Sequence, residues 1–158
     1  MDEKLFFITK SKLQELEKEY GELLNLERVK TTGEEAPKIF ESEDLNPEFV
    51  SFQEDIGFLR SRIDEIKNII DHHELIKNPA KEKAHFVDLG ARVKVDVSGQ
   101  KDEFTIVGTL EANPVLGKIS NESPVGRALL GHKVGDEVVI GSPTKTIYKI
   151  KNIKYEIS

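Results

Sequence analysis

Residues 46–70 read NPEFVSFQEDIGFLRSRIDEIKNII. Phe49, Phe52, Ile56, Leu59, Ile63, Ile66 and Ile70 recur in alternating steps of three and four, which is a heptad seam on one face of a helix. Asn46-Pro47 suits an N-cap followed by a first helical position, and Glu48 suits the positive end of the helix dipole. Asn78-Pro79 is the expected stop. Working back towards the N-terminus, Leu13, Leu16, Tyr20 and Leu23 form a second stripe, with Leu26 and Val29 continuing it and Thr9 as its cap. Thr31-Thr32-Gly33 and Pro37 interrupt that stripe. Two apolar stripes joined by a short polar segment imply an antiparallel coiled-coil hairpin over residues 1–78.

From residue 84 to 158 the period changes from helical to two. Residues 92–97, 103–107 and 146–157 alternate as strands and are separated by Gly, Pro and Asn turns such as Ser98-Gly99. Residues 125–130 form the expected helix, with Pro124 in its first turn and Gly131 at its end. The fold class is therefore α+β, with residues 77–83 as linker.

Composition narrows the function. The 158 residues carry 23 Lys and Arg against 29 Asp and Glu, a net of -6, which argues against a broad basic surface for nucleic acid. No cysteine is present, so disulfides and thiolate metal sites are excluded. Neither a leader-like apolar segment nor a stretch near the ~20 residues of a membrane span occurs, and a cytoplasmic protein with no membrane partner is expected.

The charge is concentrated. Residues 41–48, ESEDLNPE, hold Glu41, Glu43, Asp44 and Glu48, and residues 34–48 hold six acids against Lys38 alone, a net of -5. Crowded carboxylates raise one another's pKa, and a divalent cation or a basic partner relieves that repulsion. Mg2+ takes one or two protein carboxylates and completes its shell with water or phosphate. An acidic turn is also ordinary solvated surface, and both readings stand on charge alone. His72 and His73 are adjacent and cannot form a metal pair on one helix face, and no nucleophile triad or phosphate loop is readable.

Residues 119–138, ISNESPVGRALLGHKVGDEV, resemble the C-terminal signature of the Gre family of bacterial transcript-cleavage factors. Residues 89–93 (LGARV), residues 104–108 (FTIVG), and Gly57-Phe58-Leu59 with Arg62-Ile63 match further family segments in order. The resemblance implies a coiled-coil hairpin and a small antiparallel sheet domain with one helix, like the FK506-binding proteins (FKBP-like) but without their isomerase activity. It implies binding to bacterial RNA polymerase beside its secondary channel, with Ser123, Pro124 and Arg127 at the contact. It also implies that tip carboxylates, here Glu43 and Asp44 assisted by Glu41 or Glu48, share a Mg2+ with the polymerase, which then cuts backtracked RNA near its 3′ end. The chain would activate another enzyme's nuclease and hold no cofactor of its own. At the tip the sequence departs from the family's Gly-Asp-Leu-Ser-Glu-Asn-Ala-Glu-Tyr. Ungapped, Ser42 and Leu45 fall on the acting Asp and Glu, while a two-residue deletion aligns Asp44-Leu45 and removes the Ser-Glu. The alternative is a Gre-like modulator that occupies the channel without cleavage.

Overall fold

A computed structural model describes residues 4–32, 47–141 and 144–157. It divides into two compact units, one of Leu13–His72 and the other of Met1–Lys12 with His73–Ser158.

The first unit is a pair of helices. Helix α1 spans Lys10–Thr32 and α2 spans Pro47–Asp71. Thr9 caps α1 as expected, its Oγ1 accepting from the Lys12 amide at 3.2 Å. Pro47 opens α2, where its missing amide costs nothing. Ile56, Leu59 and Ile63 are buried against Tyr20, Leu23 and Phe52, so the two stripes meet. Arg62 Nε donates to Glu19 Oε1 at 2.8 Å and Arg60 Nε to Glu27 Oε2 at 3.1 Å, the order expected of antiparallel helices.

Three expectations for this unit change. Leu26 and Val29 do not continue the seam, and each is 42% exposed. The half-buried positions run Leu23, Glu27, Lys30, because steps of four and three from Leu23 bypass both apolar residues. At the far end Ile69 is buried while Ile70 is only half-buried, so the apolar sector broadens there. Helix α2 also stops at Asp71, before Asn78-Pro79, and His73 lies on a strand rather than on the helix.

That strand explains the division of the chain. Strand β1 (Phe6–Ile8) pairs in parallel with β2 (His73–Leu75), matching Phe6 to His73 and Ile8 to Leu75. The Ile76 amide extends the ladder by donating to Ile8 O at 2.8 Å. The expected boundary at residue 78 therefore gives way to one that assigns both chain segments to the sheet unit. Three-residue strands need partners for their amides and carbonyls, and here each is the other's partner. Thr9 reinforces this by donating through N and Oγ1 to the Glu111 carboxylate at 3.0 and 2.7 Å.

The main sheet comprises β3 (Ala91–Val97), β4 (Gln100–Val107), β5 (Lys118–Ser120), β6 (Glu137–Ile140) and β7 (Thr146–Tyr155). Their order is β5-β4-β3-β7-β6. It is mixed rather than wholly antiparallel, because β4 and β5 run parallel, Ile106 facing Ile119. Two short 3-10 turns, Thr109–Glu111 and Pro114–Leu116, lie in the connection between them, which is far longer than the two residues a hairpin reversal needs and lets the chain return in the same direction. Strand β4 starts at Gln100, before the expected 103. Its polar first half lacks an apolar alternation and is held by the β3 hairpin, in which Val97 faces Gln100. Ser98 and Gly99 form that turn with φ of 54° and 85°, the left-handed values of a two-residue hairpin loop.

One sheet face carries the core. Val93, Val95, Ile106, Val138, Ile140 and Ile150 are buried with Val87 and Leu129, the last from helix α3 (Pro124–Leu129). Tyr155 Oη donates to Phe86 O and accepts from the Asp88 amide, tying β7 to the segment before β3, and burial pushes its pKa up. Among the described residues, no helix is long and apolar enough to cross a membrane.

Candidate functional site

Helix α3 is short, and its placement depends on two contacts at its start. Ser123 is the N-cap: its Oγ accepts from the Gly126 amide at 3.1 Å and donates to Ser120 O at 2.6 Å. Pro124 follows at the first helical position, where φ is already suitable. Gly126 packs so closely on the end of β5 that an added Cβ would lie 2.0 Å from Ser120 O. Leu129, one turn on, is fully buried in the sheet core. With Gly126 and Leu129 turned inward, Pro124 and Arg127 are left exposed three positions apart on the outer side.

These contacts separate the roles of the three residues expected at a partner contact. The Ser123 hydroxyl is used twice within the fold, so this side chain shapes the helix. Pro124 is an exposed apolar ring beside it. The Arg127 guanidinium makes no hydrogen bond or ion pair among the described residues, leaving its donors available in a rigid fork. Gly126 and Ser120, which set the helix's distance from β5, were not singled out from the sequence. The Gly between Pro124 and Arg127 was a visible signal, but its meaning depends on a strand end that only the fold brings near.

Just beyond α3, Asp136 Oδ2 accepts from the Lys133 amide at 3.0 Å and sits 3.1 Å from His132 Nδ1. The Lys133 hydrogen bond first, and then the histidine, hold the Asp136 carboxyl below its ordinary pKa. This clasp closes the turn that leads into β6.

The expected tip carboxylates Glu41, Glu43 and Asp44 lie outside the described residues. Glu48 is described, in the exposed first turn of α2. Among the described residues no group of three or more His, Asp or Glu side chains could hold a metal ion.

Comparison with known proteins agrees with these features. Residues 82–155 match the family described as "Transcription elongation factor, GreA/GreB, C-term". The chain is 37% identical over 145 residues to a transcription elongation factor GreA of Thermomicrobium roseum, covering 89% of this chain and 90% of that protein. It is 38% identical over 157 residues to the GreA of Clostridium acetobutylicum, covering 96% of this chain and 98% of that one. Among solved structures, a GreA/GreB elongation factor from Nitrosomonas europaea aligns at TM-score 0.44 and 19% identity, over 97% of this chain and 100% of that chain. On the extent and identity of its matches to curated relatives, this chain belongs to the GreA/GreB family of transcription elongation factors.

Proposed function

We propose that the chain binds bacterial RNA polymerase through α3 and stimulates Mg2+-dependent cleavage of backtracked RNA by the polymerase. The observation that carries the docking half is Arg127. It is exposed and without a partner among the described residues, on a helix fixed by the Ser123 cap and the Gly126 contact. A preorganised arginine beside an exposed proline is the type of anchor on which interface energy concentrates. The work of Ser123 in this reading is to aim Pro124 and Arg127, not to touch the partner itself.

The cleavage half rests on the acidic segment. Glu43 and Asp44, with Glu41 or Glu48 assisting, supply carboxylates, the hard oxygen donors that Mg2+ accepts. They would hold that ion jointly with the polymerase's own ligands, near the RNA 3′ end. Bound there, the metal would supply an activated water and charge stabilisation for phosphodiester hydrolysis. The chain acts by lending ligands and is not itself the nuclease. A second reading follows from the tip sequence, in which neither the ungapped alignment nor the two-residue deletion leaves the family's Asp/Glu pair intact: the tip occupies the channel and slows the polymerase without cleavage.

The test uses a stalled, backtracked polymerase complex with 3′-labelled RNA and Mg2+. Rapid release of short 3′ fragments, lost in Glu43→Ala/Asp44→Ala, is the expected result. Absence of fragments with slowed nucleotide addition would leave the second reading. A protein that Arg127→Glu does not displace from polymerase would overturn the docking half.

A further inference from the structure

The connection between β4 and β5 presents two aliphatic side chains to solvent. Val115 and Leu116, in the 3-10 turn Pro114–Leu116, are 93% and 68% exposed. Exposed apolar residues scattered singly are ordinary. This adjacent pair differs because the backbone beneath it is fixed. Asn113 N donates to Lys118 O at 2.8 Å, and Lys118 N donates back to Asn113 O at 3.0 Å, so residues 113–118 close into a loop. Within it Leu116 N donates to Asn113 O and Gly117 N to Pro114 O, each at 3.0 Å. Gly117 adopts a left-handed φ of 73°, and a Cβ there would come within 3.2 Å of Glu103 O. Gly117 O accepts from Thr105 N at 2.8 Å, which ties the loop to β4. The result is a rigid knuckle. An anchor that is ordered before it binds loses little conformational freedom on binding.

The knuckle and α3 lie at the two ends of β5. This three-residue strand is at the edge of the sheet, with β4 as its neighbour. From Lys118 to Ser120 the chain advances about 7 Å. The outer edge is already used at both ends. Both backbone groups of Lys118 go to Asn113, and Ser120 O accepts from Ser123 N and Oγ at 3.0 and 2.6 Å. A partner strand therefore finds no run of open amides and carbonyls on which to add. What a partner meets instead is side chains, Val115 and Leu116 at one end of β5 and Pro124 and Arg127 beyond the other.

We infer that Val115 and Leu116 are a second anchor of the polymerase contact, seated in an apolar recess of the polymerase beside the surface that receives Pro124 and Arg127. The inference rests on the reading that α3 docks there. Continuity selects this occupant: a standard interface covers about 800 Å² on each partner, and a footprint of that size around the start of α3 extends well past the ~7 Å of β5. The chemistry agrees, because interface centres are apolar with charged groups towards the rim, and Pro124 alone is a small apolar centre. A second copy of the chain seated on the knuckle would bury two side chains from each partner, far short of the roughly 1,200 Å² of a stable interface.

The test measures equilibrium binding of the full chain to immobilised bacterial RNA polymerase for the wild type, Arg127→Glu and Val115→Ser/Leu116→Ser. Expected is binding at least about tenfold weaker for the serine pair, with an unchanged melting temperature because both side chains are exposed. Wild-type binding by the serine pair, beside lost binding by Arg127→Glu, would overturn the second anchor and leave the α3 reading standing. Wild-type binding by Arg127→Glu would overturn the α3 reading and the second anchor with it. A wild-type chain that sediments as a dimer at the concentrations used, and as a monomer in the serine pair, would put a second copy on the knuckle and overturn the proposal.

Discussion

Gly126 illustrates how much can depend on one absent methyl group. A Cβ there would sit 2.0 Å from Ser120 O, a backbone atom that cannot rotate away. Gly126→Ala is expected to push α3 off β5 and lower stability by about 1–3 kcal/mol, measured by denaturant unfolding. Ser123→Ala should cost ~1 kcal/mol through loss of the cap. Arg127→Ala should change stability by no more than about 0.5 kcal/mol while reducing polymerase retention in a pull-down. Equal destabilisation by all three would contradict the division between shaping and contact residues. Asp136 yields a pH prediction. Its folded pKa is depressed, so its stabilisation is present above the unfolded value of about 3.9 and is lost as pH falls through the folded value. Melting of the wild type should therefore fall more steeply below about pH 4 than melting of Asp136→Asn. Parallel acid limbs for the two proteins would remove this role.

At the scale of elements, the helical pair shows both the strength and the limit of periodicity. Phe52, Ile56, Leu59 and Ile63 were legible because a helix places steps of three and four on one face whatever lies opposite. Leu26 and Val29 have the apolar character of the stripe but not its spacing, which falls on Glu27 and Lys30. A mutational contrast tests the register. Ile63→Ala should cost about 2–5 kcal/mol, whereas Leu26→Ser should stay within about 0.5 kcal/mol. Comparable losses from both, in thermal melts followed by helical circular dichroism, would return Leu26 to the seam. The Arg62–Glu19 pair spans the same interface. The Glu19 hydrogen bond holds Arg62 further into its protonated form, but both groups are more than a third exposed and solvent screens the gain.

For the whole molecule, the decisive element is the N-terminal segment. Ile8 is fully buried, β1 supplies the parallel partner of β2, and Gly108 approaches Phe7 O too closely for any side chain. Deleting residues 1–9 should lower the melting temperature of the sheet unit and speed amide exchange at Leu75 and Ile76. Unchanged exchange there would show that the strand is dispensable. A C-terminal fragment begun at residue 84 lacks both β1 and β2, so weak polymerase retention by it would not test α3 cleanly. The better fragment keeps residues 73–158 and restores residues 1–12.

Several features were determined by the sequence alone: the two helical stripes, the Thr9 cap and Pro47 start, the Ser98-Gly99 turn, the strand at 92–97 and the last strand from 146, which ends at Tyr155 rather than at the expected 157, the Pro124 helix start, and the family resemblance in residues 119–138. Each is a property of neighbouring residues, in which side-chain spacing, a fixed proline φ or a capping oxygen acts within a few positions. Tertiary structure decided which segments pair: β1 with β2 across 67 positions, β4 with β5 in parallel, and α3 against Ser120 through Gly126. Such pairings arise because every short strand must satisfy its amides and carbonyls and every apolar side chain must find cover. Local patterns leave many partners open for those groups, and only closure of the whole sheet unit selects among them.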